Sequence, residues 1–141
     1  MASISDWSVQ KAVFEKLAGD TALSSLLASG SGGVYDFVPP TALFPYIVFG
    51  DMQSRPLDTA DIVGREMTMT LTAYSQKNGF KEIRLILSAI YACLHRQSLS
   101  LDGHIAIRCD ETGLDTSTEN DGQLYKGSIR FRILTEPQPE E

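Results

Sequence analysis

The chain has 141 residues, 43% of them hydrophobic, which is enough for one ordinary core and short for two. Its formal net charge of -6 argues against a protein that grips phosphate backbones, because such proteins usually carry a large basic patch. The first residues contain no basic region before a long apolar run, and no stretch is long enough to span a membrane. We therefore expect one unsecreted domain that makes no contact with a membrane.

The first third of the chain predicts a helix followed by a short helical turn. Apolar residues three or four apart predict one buried stripe on a helix that Ser5 or Asp6 can cap and Gly19 ends. Asp20 can cap a second, shorter turn, and the Gly30–Gly33 patch is predicted to hold no regular structure. The helical stripe consists of Val9, Val13 and Leu17, with Trp7 and Phe14 beside it.

Two extended segments and a long loop are predicted next. Residues Val34–Val38 form a short extended segment, and Phe44–Phe49 is a nearly continuous apolar run. Such a run is typical of a strand buried on both faces, or of one with a face covered by another subunit. The polar stretch Gly50–Gly64 exceeds the usual connection of about four to six residues, so it is predicted to be a long loop of the kind that is either functional or disordered.

The centre of the chain predicts a strand followed by the most amphipathic helix. Residues Met67–Tyr74 alternate between apolar and polar side chains, as in a strand with one buried face. Asn78 is the predicted N-cap of the helix, and His95 and Arg96 are predicted to close it. The helical stripe consists of Phe80, Ile83, Leu87, Ile90 and Leu94, widened by Ile86 and Tyr91.

The last third predicts two strands joined by an acidic loop over Asp110–Gly122. The second strand covers Tyr125–Ile133 and presents a basic row on one face. The inward residues predicted for the first strand are Ile105, Ile107 and Cys109, and the basic row consists of Lys126, Arg130 and Arg132. The elements together predict an α+β fold: a single domain over residues 1–136, with an antiparallel or mixed sheet of about four main strands. One long helix and the N-terminal helix pack on this sheet, and residues 137–141 form a flexible tail.

No residue pattern predicts a catalytic or cofactor site. His95 and His104 lack a nucleophile in a suitable context, so both are predicted to be surface or capping residues. Cys93 and Cys109 lack metal-ligand spacing and are predicted to be buried free thiols rather than a disulfide. The acidic loop does not match the EF-hand spacing, so we prefer a solvated loop to a calcium site. We expect no enzymatic activity, no cofactor and no metal.

The order of several short motifs resembles that of the tail-completion, or tail-terminator, proteins of long-tailed bacteriophages and gene transfer agents. The motifs are the Phe44–Gly50 stretch, Gly64–Arg65 before the strand at Met67, the Asp121–Gly122 turn and the ending Gly127–Arg132. The resemblance covers nearly the whole chain and implies an α+β structural protein that is not an enzyme.

The resemblance also implies a position and partners. Such subunits assemble as a hexameric ring on the head-proximal end of the virion tail, after synthesis in the host cytoplasm. The ring caps the tail tube protein, ends its polymerisation and joins the head through connector or adaptor proteins. DNA passes through the lumen without specific binding. Two alternatives stay open: a head-completion or connector adaptor on the portal side, and a small ligand-binding or enzymatic α+β module.

Contact residues can be proposed on this basis, because a ring contact joins two different faces of the subunit. The Asp51–Val63 loop is a candidate arm that reaches a neighbour or the tail tube, and the basic row can meet acidic residues of the next copy. The alternatives are packing of the arm on its own domain and a solvent-facing basic row. The candidate anchors are Met52, Arg55, Leu57 and Ile62 on the arm and Lys126, Arg130 and Arg132 on the last strand.

Overall fold

The computed structural model describes residues 4–58 and 63–138, which form a five-stranded sheet with helices packed on it. The elements are α1 (Asp6–Ala18), α2 (Thr21–Ser24), a 3₁₀ turn (Gly30–Gly33), β1 (Val34–Tyr35), β2 (Tyr46–Asp58), β3 (Val63–Ser75), α3 (Lys81–Leu94), β4 (His104–Glu119) and β5 (Leu124–Pro137). The strand order is β1-β2-β3-β5-β4, with β1 parallel to β2 and every other neighbouring pair antiparallel. This mixed sheet confirms the predicted α+β class. Among the described residues, no helix is long and apolar enough to cross a bilayer.

The core lies between one face of the sheet and the helices α1 and α3. The predicted alternation of β3 is confirmed, because every second residue from Met67 to Ala73 is apolar and buried. The same holds for the central part of β5. Burying one such side chain contributes about 1.5–3 kcal/mol, so this face dominates the stability of the fold. The buried residues are Met67, Met69, Leu71 and Ala73 of β3, Ile129, Phe131 and Ile133 of β5, Val9, Val13 and Leu17 of α1, and Ile83, Ile86, Leu87, Ile90 and Leu94 of α3.

The helix and turn starts agree only in part with the prediction. Asp20 caps α2 as predicted, because its Oδ1 accepts the backbone N–H of Leu23 at 2.9 Å. Asn78 is not the N-cap of α3, since the chain bends further and Phe80 occupies that position without a side-chain hydrogen bond. The Gly30–Gly33 patch, predicted to be irregular, forms the 3₁₀ turn.

The predicted loop over Gly50–Gly64 is wrong, because most of it belongs to a β-hairpin. Residues Met52–Asp58 pair with Val63–Met69 in antiparallel register, and a bulge between Phe49 and Met52 adjusts the pairing. The polar composition that suggested a loop reflects exposed side chains, whereas backbone hydrogen bonds to β3 hold the extended conformation. We call the two paired segments, Met52–Asp58 and Val63–Met69, the arm.

The predicted acidic loop over Asp110–Gly122 is also wrong. Strand β4 continues to Glu119 and pairs with β5 along its length, so the connection is the short turn before Leu124. A bulge between Glu111 and Gly113 accommodates an extra residue in β4. Most of the acidic side chains therefore lie on a strand, and two of them, Asp115 and Glu119, pair with basic side chains of β5.

Two predicted burial patterns are corrected by the sheet. Strand β4 begins with His104 buried, so Ile105 and Ile107 are exposed, and a bulge between Ala106 and Arg108 reverses the alternation so that only Cys109 of the predicted inward set is buried. The Phe44–Phe49 strand was predicted to be buried on both faces. Only Ile47 within it is fully buried, because the helices cover one face of the sheet.

The C-terminal strand extends one residue into the predicted tail. Pro137 is the last residue of β5 and pairs with His104, and the backbone N–H of Gln138 donates to the carbonyl oxygen of Gly103 at 3.1 Å. The rest of the predicted tail, residues 139–141, lies outside the described residues.

Gly127 is the position where α3 packs most closely against β5. A Cβ built there would lie 2.5 Å from Cγ2 of Ile83 and 2.9 Å from Cδ1 of Leu87. We expect Gly127→Ala to lower the free energy of unfolding by about 1–3 kcal/mol, because the helix must shift to admit the methyl group. Gly32→Ala is the matched control, since nothing lies within 4 Å of its added Cβ. Chemical denaturation measures both, and an unchanged Gly127→Ala midpoint would contradict the close packing.

The two cysteines are buried free thiols, as predicted. Burial raises the pKa of Cys93 to about 11 and the pKa of Cys109 to about 12. Because the thiolate is the reactive form, we expect both thiols in native protein to react at pH 8 at least ~100-fold more slowly than exposed thiols. Absorbance after addition of an aromatic disulfide reagent measures this, with guanidinium-unfolded protein as control. Rapid modification of either cysteine in native protein would contradict its burial.

Candidate interaction surfaces

The histidines are held in structural contacts. Nδ1 of His95 accepts the backbone N–H of Glu111 at 3.1 Å, and its ring stacks on Tyr91 with a centroid distance of 4.6 Å. A ring nitrogen of His104 lies 3.2 Å from the carbonyl oxygen of Asp102. Within residues 4–58 and 63–138, no group of three His, Cys, Asp or Glu side chains is placed to hold a metal ion.

A shared carboxylate joins three strands on the sheet face that is opposite the helices. Glu66 of β3 accepts from Nη2 of Arg55 on β2 and from Nη2 of Arg132 on β5, each at 2.9 Å. The bond from Arg132 is the main cause that holds the pKa of Glu66 below its ordinary value, and the Arg55 charge adds to it. Glu66 is only 9% exposed, so its carboxylate lies within the sheet surface between the two arginines. We call Glu66, Arg55 and Arg132 the Glu66 clamp.

The predicted basic row is present, and acidic side chains of the same subunit pair with each member. Nη1 of Arg130 lies 3.0 Å from Oδ2 of Asp115, and Nζ of Lys126 lies 3.5 Å from Oε1 of Glu119. Both acids belong to β4, in the segment predicted to be a loop. The row is therefore a set of ion pairs along the sheet, rather than a free basic surface.

The candidate anchors of the arm divide between the two faces of the sheet. Met52 is partly buried and packs against the core of its own domain. Arg55 and Leu57 lie on the opposite face, since Arg55 pairs in register with Glu66 and Leu57 follows two residues later. Ile62 lies outside the described residues. The structure thus brings Arg55 and Arg132 together and separates Met52 from them.

An aromatic groove of about 330 Å³ lies between α1 and the edge strand β1. Trp7 and Phe14 contribute from α1, Phe37 follows β1, and Phe49 of β2 also lines it. Trp7 is 66% and Phe37 78% exposed, which is unusual for clustered aromatic side chains of this size. We call this surface the aromatic groove. Its sequence signal is the seven-residue spacing of Trp7 and Phe14, which places both on one helix face outside the buried stripe.

The rim of the aromatic groove carries three polar side chains with different pairing. Nζ of Lys11 lies 3.2 Å from Oδ2 of Asp102, and this hydrogen bond raises the pKa of Lys11. The side-chain amide of Gln10 donates to Oδ2 of Asp36 at 3.3 Å. The Lys11 charge is therefore compensated within the subunit, whereas the described partner of the Asp36 carboxylate is a neutral amide.

The described residues thus form a small α+β protein with a row of ion pairs on one sheet face and an exposed aromatic groove beside α1. The chain belongs to the tail completion protein gp17 family, whose family model matches residues 11–136. This membership confirms the resemblance seen in the motifs, and it gives the chain a structural role in tail completion.

Two solved structures show the same fold. A chain from the virion of a native gene transfer agent particle is 19% identical with a TM-score of 0.85, and the match covers 96% of this chain and 99% of that chain. The gp17 protein of bacteriophage SPP1 is 23% identical with a TM-score of 0.60, covering 94% of this chain and 95% of that chain. None of the curated proteins matches this sequence.

The Glu66 clamp generates a prediction about stability and pH. Because its folded pKa is lowered, Glu66 contributes stability that is fully present above its unfolded pKa of about 4.3. That contribution is lost as the pH falls through the lower, folded pKa. We expect Glu66→Gln to lower the melting temperature at pH 7, and we expect the difference from wild type to shrink below about pH 4.

Thermal unfolding between neutral and acidic pH measures this effect, and Glu119→Gln provides the matched control. Glu119 is 44% exposed and pairs only across the edge of the sheet with Lys126, so its replacement is expected to cost less than about 1 kcal/mol. Equal losses for the two variants at pH 7 would contradict the assignment of Glu66 as the structural clamp.

Proposed function

We propose that this chain caps the tail tube as a hexameric ring, ends tail polymerisation and forms the surface that joins the head. The observation that carries the proposal is the match to a chain of a gene transfer agent virion over 96% of this chain, with a TM-score of 0.85. Membership of the tail completion family supports the same role. In this proposal the protein acts at the head-proximal end of the tail, after assembly in the host cytoplasm.

A ring of identical subunits requires two different contact faces on each subunit, because head-to-tail contacts close the ring. We propose that the arm contacts the neighbouring subunit or the tail tube protein. We propose the ion-paired row of β5 as a second contact, in which charges that are paired within one subunit are shared with the next. The residues concerned are Met52, Arg55, Leu57, Ile62, Lys126, Arg130 and Arg132.

The proposal includes passage of DNA through the lumen without specific binding. Proteins that hold DNA neutralise phosphates with free Lys and Arg side chains, and each such contact adds to the salt-dependent affinity. Here the cations of β5 are paired with acidic side chains, and the whole chain has a net charge of -6. Both features support release of DNA rather than retention. The same proposal assigns the protein no enzymatic activity and no cofactor.

The test is electron microscopy of particles from a producer strain that lacks this gene. We expect overlong, irregular tubes that are not attached to filled heads, because nothing ends polymerisation or presents a surface to the head. Supplying the intact gene in trans is the control and is expected to restore normal tails.

Two other outcomes would overturn the proposal. Tails of normal length beside heads that leak DNA would favour a head-completion or connector adaptor on the portal side. Particles that are unaltered and still infect cells or transfer DNA would exclude both virion roles and favour a ligand-binding module.

A further inference from the structure

The aromatic groove lies beside an open strand edge. Strand β1 pairs only with Ile47 and Val48 of β2, so β2 from Phe49 onward has no outer neighbour in the described part of the chain. Phe49 also lines the aromatic groove, which places exposed aromatic side chains next to free backbone hydrogen-bonding groups. This combination suits an extended segment that carries apolar side chains.

The opposite edge of the sheet offers such a segment. The chain after α3 covers the middle of β4, because the N–H of Arg96 donates to the carbonyl oxygen of Cys109 at 2.7 Å and His95 accepts from Glu111. Residues Ile105–Arg108 lie before these two hydrogen bonds. Arg96–Ser98 line a groove together with Ala106–Cys109, but in the described part of the chain no further backbone hydrogen bond joins the two segments.

Apolar side chains are exposed on the segment Ile105–Arg108. Ile105 is 39% and Ile107 48% exposed, and the bulge between Ala106 and Arg108 reverses the alternation only after them, so that Cys109 is buried. Ile107 and Arg108 line a shallow groove on this edge. We call Ile105, Ile107 and Arg108 the edge patch. Exposed isoleucines on an edge strand favour association unless another surface covers them.

The charges of the two surfaces are complementary. On the side of the edge patch, Arg96 and Arg108 share the single carboxylate of Asp110, so neither guanidinium has a carboxylate of its own in this cluster. At the aromatic groove, Asp36 is exposed and has only the neutral amide of Gln10 as partner in the described contacts. Arg108 on the edge patch can therefore pair with Asp36 at the rim of the aromatic groove.

We infer that the edge patch of one subunit seats in the aromatic groove of the next, with Arg108 facing Asp36. This inference rests on the proposed ring and names the contact that closes it. The strand order places β1 and β4 at opposite ends of the sheet, about 19 Å apart for four strand spacings. The edge patch and the aromatic groove are different surfaces of one subunit, so a contact between them is head-to-tail, which is the kind of contact that a ring requires.

Crosslinking in assembled particles tests the contact directly. The double variant Phe37→Cys with Ile107→Cys places one thiol on each surface, and the native cysteines are buried. A short bis-maleimide is expected to link neighbouring copies into a ladder of multiples that ends at the size of the ring. Each single variant is the control and is expected to stay monomeric, because head-to-tail contacts never bring two identical positions together.

Charge exchange provides a second, independent test in a strain that lacks the gene. We expect Asp36→Arg alone and Arg108→Asp alone to reduce active particles about tenfold or more, because each variant opposes like charges in every subunit contact. Both substitutions in one chain restore an attractive pair and are expected to recover most of the loss. Lys77→Glu, on the exposed turn before α3, is the control for charge reversal elsewhere.

The outcomes separate this inference from the proposed function. Normal tails without the gene would overturn the ring itself. A different result would overturn only the contact. In that case tails are defective without the gene, but particles that contain the double cysteine variant give no crosslinked ladder. The charge-exchanged double variant can also fail to restore the number of active particles while both single variants are folded and defective. This result would assign Asp36 and Arg108 to separate contacts.

Discussion

Burial of one face of β3 and β5 beneath α1 and α3 is the constraint on which the rest of this structure depends. The apolar residues of both strands alternate strictly, and a slip of one residue in either register would move the whole set to the other face. Gly127 strengthens this constraint, because the absence of a side chain lets α3 approach β5 closely. Once these registers are set, the positions of the polar side chains on the opposite face follow.

That opposite face explains how a row of basic residues is compatible with an acidic protein. Antiparallel pairing of β4 with β5 places acidic side chains beside Lys126 and Arg130, and the central register places Glu66 between two arginines. The resulting surface carries many charges but few that are free. Such a surface is suited to specific contacts with matching charges and poorly suited to holding a phosphate backbone.

The two edges of the sheet differ in a way that matters for assembly. At one edge, β1 is so short that most of β2 is left open beside exposed aromatic side chains. At the other edge, the chain after α3 covers only the middle of β4 and leaves exposed isoleucines beyond it. A monomeric protein usually protects its edge strands with charges, bulges or covering loops. Incomplete protection at both ends, with complementary chemistry, is consistent with a subunit that is completed by its neighbours.

The sequence by itself determined the α+β class, the buried stripe of α1 and the alternation of β3 and β5, because these depend on local periodicity of apolar side chains. It misplaced the loops at Gly50–Gly64 and Asp110–Gly122, since polar side chains on a paired strand look the same in sequence as those of a loop. Only the tertiary structure decided the pairing of Glu66 with two arginines and the formation of the aromatic groove. Both join residues that are distant in the chain, so their existence depends on strand order and register, which no local pattern specifies.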